Sequence, residues 1–408
     1  MRRLLLFGWF IICGVTLTFA QSDSIVMKFL QETHGVTFTA HNEVELLPSG
    51  KEKFARMFED VKNARHSIHM EYFNFRNDSI SHELFHLLEE RAKAGVEVRI
   101  LFDAFGNKSN NRPLHKCHLD SLRAVGIQIF VFRPFKFPWL NHIMGRDHRK
   151  IVVIDGKIAY TGGMNVADYY LNGTKQVGEW RDMHLRIVGE TVAELQTIFM
   201  RAWNKQTKDT LQGEQYFPPS DTPETCRMGV VNREPKRSPK VIRETFAEAI
   251  DAAQKQIQIV NPYFTLNKRI NRALKRAIKR GVDVQIMISA NSDIPLTPRA
   301  VEYAAHKLMQ CGAHVYVYRG GFHHTKVMTV DSCMTFVGSA NLDHRSLCCD
   351  YECNVLITDK AKTAEFQRIY ERDKETRCYM LTEGRWHQYW SRCKRMKCQI
   401  SRWFRIFL

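Results

Sequence analysis

Two short stretches of this 408-residue chain are copies of one another, and any fold it adopts must accommodate both. The first reads His148-Arg-Lys150-Ile-Val-Val-Ile-Asp155 and continues to Gly162-Gly163-Met-Asn165. The second reads His324-Thr-Lys326-Val-Met-Thr-Val-Asp331 and continues to Gly338-Ser339-Ala-Asn341. In each, Lys follows His by two positions, Asp by seven, and Asn stands ten beyond Asp. One such match could be chance; two with the same spacing point to a duplicated unit.

The spacing has a physical reading. Both stretches are runs of β-branched and apolar residues, the composition of buried strands. Residues two apart on a strand share a face, so His148 and Lys150 point one way, as do His324 and Lys326. Asp155-Gly156 is a hairpin signal, and a second strand follows over 157–161. It ends in glycines that let backbone approach a ligand closely, which brings Asn165 near the His/Lys end. Each copy offers an imidazole, an ammonium and an amide, a set suited to gripping phosphate. Two facing copies offer two imidazoles, one to attack phosphorus and one to protonate the leaving oxygen.

The rest of the chain repeats with them. Helical and strand patterns alternate over 49–132 and again over 241–318, which reads as α/β. Helix-ending glycines recur at a shift of 186 residues, Gly95 with Gly281 and Gly126 with Gly312, whereas His148 and His324 are 176 apart. The first copy therefore carries about ten extra residues within 133–144, where Phe135, Phe137, Trp139 and Leu140 are expected to line the site mouth with apolar surface. The expected organisation is a first lobe over 44–206, a proline-rich linker over 207–240 with one short strand at 228–231, and a second lobe over 241–375.

The doubled signature resembles that of the phospholipase D superfamily, in which H-x-K-x4-D occurs twice per active site. The flanks Ile68-His-Met-Glu-Tyr-Phe73, Trp180-Arg-Asp182-Met-His184, Asn261-Pro-Tyr-Phe264 and Gly338-Ser-Ala-Asn-Leu-Asp-His-Arg-Ser346 look like bacterial cardiolipin synthases. The resemblance spans roughly residues 45–375. It implies two phospholipase D-like lobes, each a mixed β-sheet flanked by helices, with one composite active site between them. It further implies phosphatidyl transfer between two phosphatidylglycerol molecules through a phosphohistidine, with no metal and no cofactor. His148 is then the nucleophile and His324 the acid and base. Lys150, Lys326, Asn165, Asn341 and Ser339 hold the phosphoryl oxygens. A carboxylate after each signature orients one imidazole; alignment of the strand ends matches Asp182 with Glu352 and assigns one to each histidine. The signature also places Asp155 and Asp331 in the catalytic set. Their odd spacing from the histidines instead gives them a structural reading at the hairpin turn. His142, His306 and His323 match no repeat partner and read as surface or packing residues.

Composition enters at the edges of the chain. The formal net charge of +17 calls for anionic partners, either nucleic acid or an anionic membrane. Residues 1–20 begin with two arginines and continue as an uncharged apolar run, which fits a signal peptide or an N-terminal anchor. Either places the lobes on the outer side of the bacterial cytoplasmic membrane. Residues 385–408 carry cations, no acid, and three tryptophans at helical spacing, an interfacial membrane helix. The eleven cysteines contain no C-x-x-C pair; mostly free thiols are expected, with Cys311 and Cys333 in the core. A phospholipase D hydrolase releasing phosphatidate and a nuclease remain as rivals within the superfamily. A scaffold with a dead site is disfavoured because both signatures are intact. The membrane-like termini favour lipid over nucleic acid.

Overall fold

The computed structural model describes residues 21–135, 144–207, 209–294 and 297–389. Each signature lies beside the centre of a mixed sheet. The first sheet has seven strands, in the order Asn42–Leu47, His184–Gly189, Ile158–Gly162, Ile151–Ile154, Ser67–Tyr72, Glu97–Asp103, Gln128–Phe132. The second repeats that order with Met228–Arg233, Glu352–Ile357, Met334–Gly338, Val327–Val330, Gln256–Val260, Asp283–Ser289 and His314–Tyr318. It gains an edge strand at either side, Phe38–Thr39 and Cys378–Met380. The last three strands of each repeated set run parallel, joined by crossover helices such as Ser79–Lys93 and Lys268–Lys279. The signature hairpins run antiparallel beside them. The strand expected at 228–231 runs over Met228–Arg233 and pairs with Glu352–Ile357 of the second sheet.

The two sheets pack face to face. Ile151, Val153, Ala159, Leu185 and Ile187 of the first meet Val337, Cys353, Val355 and Ile357 of the second in one apolar cluster. Side chains of this kind contribute about 1.5–3 kcal/mol each when fully buried, so the interface holds the lobes in a fixed relation. The helix Ser22–His34, which the sequence left unassigned, lies against the helix Val241–Ala252 and sends Val26 and Leu30 into the core of the second lobe. The described residues thus pack first on the second lobe and only then build the first.

Of the expected tail, residues 390–408 lie outside those described. Its first turns form the helix Glu383–Tyr389, where Trp386 is buried and stacks on His306 with ring centroids 3.8 Å apart. Trp386 is therefore a docking residue for the body and not a membrane contact. Cys333 is buried as expected, while Cys311 is exposed because it sits at the solvent side of the helix end before Gly312. Phe135 is exposed near the Phe105 ring; residues 137, 139, 140 and His142 lie outside those described.

Candidate active site

Both histidines stand just ahead of their strands, and backbone from the opposite lobe fixes each. The His148 N–H donates to the Tyr351 carbonyl at 3.0 Å, and the His324 N–H donates to the Arg181 carbonyl at 2.7 Å. Short parallel contacts, Asp147 with Tyr351 and Phe322–His323 with Trp180–Arg181, reinforce the two crossings. Tyr351 and Arg181 each immediately precede a carboxylate. Consequently His148 Nδ1 donates to Glu352 Oε1 at 3.0 Å, and His324 Nδ1 donates to Asp182 Oδ2 at 2.6 Å. Each histidine is oriented by the carboxylate of the other lobe. That leaves both Nε2 atoms as the reactive ends of the rings.

Both carboxylates are buried. Burial alone would raise Glu352, but His148, Lys150 and the Ser339 hydroxyl outweigh it and hold the group down to about 2. Asp182 is likewise raised by burial and drawn below its ordinary value by Lys326 and His324. Both stay ionised. Burial and the adjacent lysine push His148 below its usual value and His324 down to about 4, so both rings are neutral at rest. The lysines are buried as well: Lys150 is lowered to about 7 and Lys326 to about 8, first by burial. Each donates to the carbonyl of its own histidine. A phosphodiester between them would restore their charge.

The loops that end the hairpins complete the site. Asn165 and Asn341 are buried, and among the described residues each leaves its Oδ1 atom without a protein partner. Two unbonded amide ends at equivalent positions suit a ligand that supplies hydrogen-bonding groups. Ser339 behaves otherwise. Its hydroxyl donates to Glu352 and accepts from the Cys353 N–H at 3.0 Å, which removes it from the phosphate-binding set. Its counterpart must be Gly163, because a Cβ there would lie 2.2 Å from Asp182 Oδ1. The shorter carboxylate pairs with glycine, the longer with serine.

Asp155 and Asp331 leave the catalytic set. Asp155 takes a left-handed turn conformation, φ 54°, and its carboxylate accepts the N–H groups of Arg65, His66 and Ser67 at 2.7–2.9 Å. Asp331 does the same at φ 50° for Gln254, Lys255 and Gln256 at 2.7–3.0 Å. The carboxylate reaches a distant segment, not the local turn backbone: it ties the far end of the hairpin to the start of the neighbouring strand. His323 is buried, packs edge-on against Tyr318, and lies 3.5 Å from Asp373; it is a packing residue.

Sequence reasoning missed Lys53. It is fully buried, and its ammonium donates to the carbonyls of Asn165 at 3.0 Å and Met164 at 3.3 Å. The signal was a lysine four residues before Met57, on the apolar face of the helix Gly50–Asn63. His184 and Asn354 were also missed as a pair. His184 Nδ1 accepts the Met164 N–H, and Asn354 Oδ1 accepts the equivalent Ala340 N–H, so different residues brace the same loop in each lobe.

The family described as "Cardiolipin synthase, PLD-like domain" matches residues 57–203 and 246–374, each span carrying one His/Lys signature. The chain belongs to this family. It is 35% identical over 361 residues to a cardiolipin synthase of Staphylococcus aureus, covering 86% of this chain and 72% of that one. A cardiolipin synthase of Listeria monocytogenes is 34% identical over 351 residues, covering 85% and 72%. The crystal structure of the phosphatidylserine synthase of Haemophilus influenzae Rd KW20 superposes with a TM-score of 0.68 at 15% identity, covering 87% and 92%, a likeness of fold. The doubled lobe and its paired site are thus those of a phospholipase D-type phosphatidyltransferase that acts on phospholipids.

Proposed function

We propose that the chain joins two phosphatidylglycerol molecules into cardiolipin, releasing glycerol. The supporting observation is the pair of histidines, each bonded through Nδ1 to a buried carboxylate of the opposite lobe. His148 Nε2 attacks the phosphorus of the first lipid, and the bond to the glycerol oxygen breaks as His324, which takes up a proton on Nε2 once the anionic phosphodiester is bound, delivers that proton to the oxygen. His148 is the better placed nucleophile, with 17% of its side chain exposed against 8% for His324. Lys150 and Lys326 offset the charge of the phosphoryl oxygens, the Nδ2 groups of the two asparagines can donate to them, and the bound anion raises the His324 pKa toward the range that proton transfer needs. In the second half, His324 takes the proton of an incoming glycerol hydroxyl. That oxygen attacks phosphorus and the P–N bond to His148 breaks.

The same proposal places the enzyme on an anionic membrane, on the outer side of the cytoplasmic membrane, with no nucleic-acid substrate. The charge of +17 supports a lipid surface, and so does the solvent face of the helix Lys268–Lys279, where Lys268, Arg269, Arg272, Lys275, Arg276 and Lys279 are exposed. Among the described residues no helix is long and apolar enough to cross a membrane.

Purified protein incubated with phosphatidylglycerol vesicles should yield cardiolipin and free glycerol in equal amounts. Phosphatidate alone would identify a hydrolase, and cleavage of added DNA a nuclease. A phosphohistidine still trapped in His148→Ala would overturn the nucleophile assignment.

A further inference from the structure

The two histidines sit in different chemical surroundings. Against His148 lies Phe73, ring centroids 5.0 Å apart and nearly perpendicular. Phe73 continues outward to Phe105 at 6.4 Å and Phe105 to the exposed Phe135 at 6.5 Å, an aromatic wall leading from the site to solvent, with Lys150, Arg345 and Arg146 over the faces of the three rings in turn. Against His324 lie Phe322 at 5.3 Å, Trp180 at 5.5 Å and Tyr263 at 5.9 Å, the last also nearly perpendicular and alone of the three in carrying a hydroxyl. Its hydroxyl points outward and donates to Asp293 Oδ1 at 2.6 Å. Asp293 is exposed, Ser292 donates to the same oxygen at 3.1 Å, and its charge acts on both His324 and Lys326. By the 186-residue shift of the lobes, Asp293 corresponds to Asn107, whose amide is spent on both backbone groups of Leu114. Among the described residues the first lobe offers no open acceptor at that place.

A two-step transfer constrains what each side must hold. Attack by His148 is in line, so the leaving oxygen departs on the side of His324. By microscopic reversibility the incoming oxygen arrives on that side too. The space beside His324 therefore holds the departing headgroup first and the accepting alcohol second. One carboxylate oxygen of Asp293 is held by the Tyr263 and Ser292 hydroxyls, and the other, unbonded among the described residues, can accept a hydroxyl proton. Glycerol has vicinal hydroxyls to give.

Resting on the phosphatidyl-transfer reading above, we infer that Tyr263 and Asp293 form a polyol subsite beside His324 that selects glycerol headgroups both as leaving group and as acceptor, while the Phe73–Phe105–Phe135 wall beside His148 takes the diacylglyceryl part. The hydroxyl of the bound glycerol that loses its proton passes it to His324 Nε2; a neighbouring hydroxyl donates to Asp293. Water and monohydric alcohols lack that second contact.

The test is acceptor competition. The full-length protein, Tyr263→Phe and Asp293→Asn are each given phosphatidylglycerol vesicles with equal deuterated glycerol and 1-propanol. Labelled phosphatidylglycerol, phosphatidylpropanol, cardiolipin and phosphatidate are then quantified. The parent should favour glycerol over 1-propanol. Each variant should lower that preference about five- to tenfold, the worth of one hydrogen bond, and raise phosphatidate relative to cardiolipin by a similar factor. Unchanged product ratios in both variants would overturn the subsite. So would complete loss of turnover in both at unaltered melting temperature, because the pair would then be needed for the chemistry itself. If the parent makes no cardiolipin yet prefers glycerol to 1-propanol, the function reading fails and the subsite stands.

Discussion

His148, in the first lobe, donates its Nδ1 proton to Glu352, in the second, and the reciprocal bond runs from His324 to Asp182. Neither lobe holds a complete reactive histidine. An isolated lobe would present an imidazole free to take either tautomer, so the composite site exists only when the two sheets are packed together. The crossing follows from backbone: each histidine N–H is bound to the carbonyl that immediately precedes the other lobe's carboxylate.

Replacing those carboxylates should damage turnover more than binding. Glu352→Gln and Asp182→Asn keep shape but remove the charge that selects the Nδ1–H tautomer, a change worth up to about 10⁴ in kcat where a carboxylate orients a catalytic imidazole. Cardiolipin formation should fall by a factor of about 10²–10⁴ in each, with KM for phosphatidylglycerol altered less. The double variant should fall far short of the product of the two losses, because both histidines serve one reaction. Steady-state kinetics on vesicles would decide it, and multiplicative losses would argue for two independent sites.

The carboxylate lengths are matched to their neighbours. Gly163→Ser forces a Cβ to within 2.2 Å of Asp182 Oδ1, so the carboxylate must leave His324 Nδ1. Ser339→Ala removes a hydroxyl that Glu352 and the Cys353 N–H both use, and a buried group left unsatisfied costs about 1–3 kcal/mol. The serine insertion should therefore lower kcat more than the serine deletion. Near-wild-type kcat in Gly163→Ser would show that Asp182 need not hold its place.

Asp331 separates architecture from chemistry. Three backbone N–H groups would lose their acceptor in Asp331→Ala, a destabilisation of about 2 kcal/mol or more, while His324 and Asp182 keep their bond. The melting temperature should drop by several degrees, with kcat within about threefold of the parent at a temperature where the protein stays folded. Loss of kcat without loss of stability would return Asp331 to the catalytic set.

How far the sequence reveals this arrangement depends on the range of the interaction. The period of a strand puts His148 with Lys150 and His324 with Lys326, and the duplication makes both legible. Asp182 and Glu352 are legible by alignment, but the alignment is symmetric: pairing within lobes or across them uses the same four residues. Only the contacts of Tyr351 and Arg181 with the opposite lobe break the tie. Ser339 could have faced phosphate or carboxylate; the extra methylene of Glu352 relative to Asp182 decided it. The helix Ser22–His34 is illegible for a different reason, since its partner Val241–Ala252 lies more than 200 residues away in the chain.

The lysines give the reaction a basic limb. Burial first lowers Lys150 to about 7 and Lys326 to about 8, so the free enzyme loses both positive charges as pH rises from about 7 to 9. Loss of charge weakens capture of a phosphodiester, hence kcat/KM should fall across that range. In the complex the substrate's negative charge raises both lysines again, so kcat should fall later. On the acid side, His148 lies below its usual value and remains a neutral nucleophile as pH drops under about 6.5. A pH profile of kcat/KM that stays flat from about 7 to 9 would mean the lysines keep their charge without substrate.

Lys53 holds one copy of the phosphate loop and not the other. Its ammonium sits between the Phe54 and Tyr72 rings at 4.5 and 5.0 Å and donates to the carbonyls of Met164 and Asn165. The aligned residue in the second lobe is Ile242, also buried, where the Asn261 side chain instead accepts the N–H of Leu342 beside Asn341. Burial holds Lys53 well below its ordinary value, yet a neutral amine still donates to carbonyls, so its role is positional. Lys53→Met keeps the volume and leaves two carbonyls unbonded, at about 1–3 kcal/mol each. Asn165 then loses its fixed place, and kcat/KM for phosphatidylglycerol should drop about tenfold, with KM carrying more of the change than kcat. Lys53→Arg should not restore it, because a guanidinium is too large for a fully enclosed site. A lowered melting temperature with unchanged KM would reduce Lys53 to a packing residue; a raised KM in Lys53→Met beside a normal KM in Ile242→Met would establish that only the first loop depends on a buried amine donor.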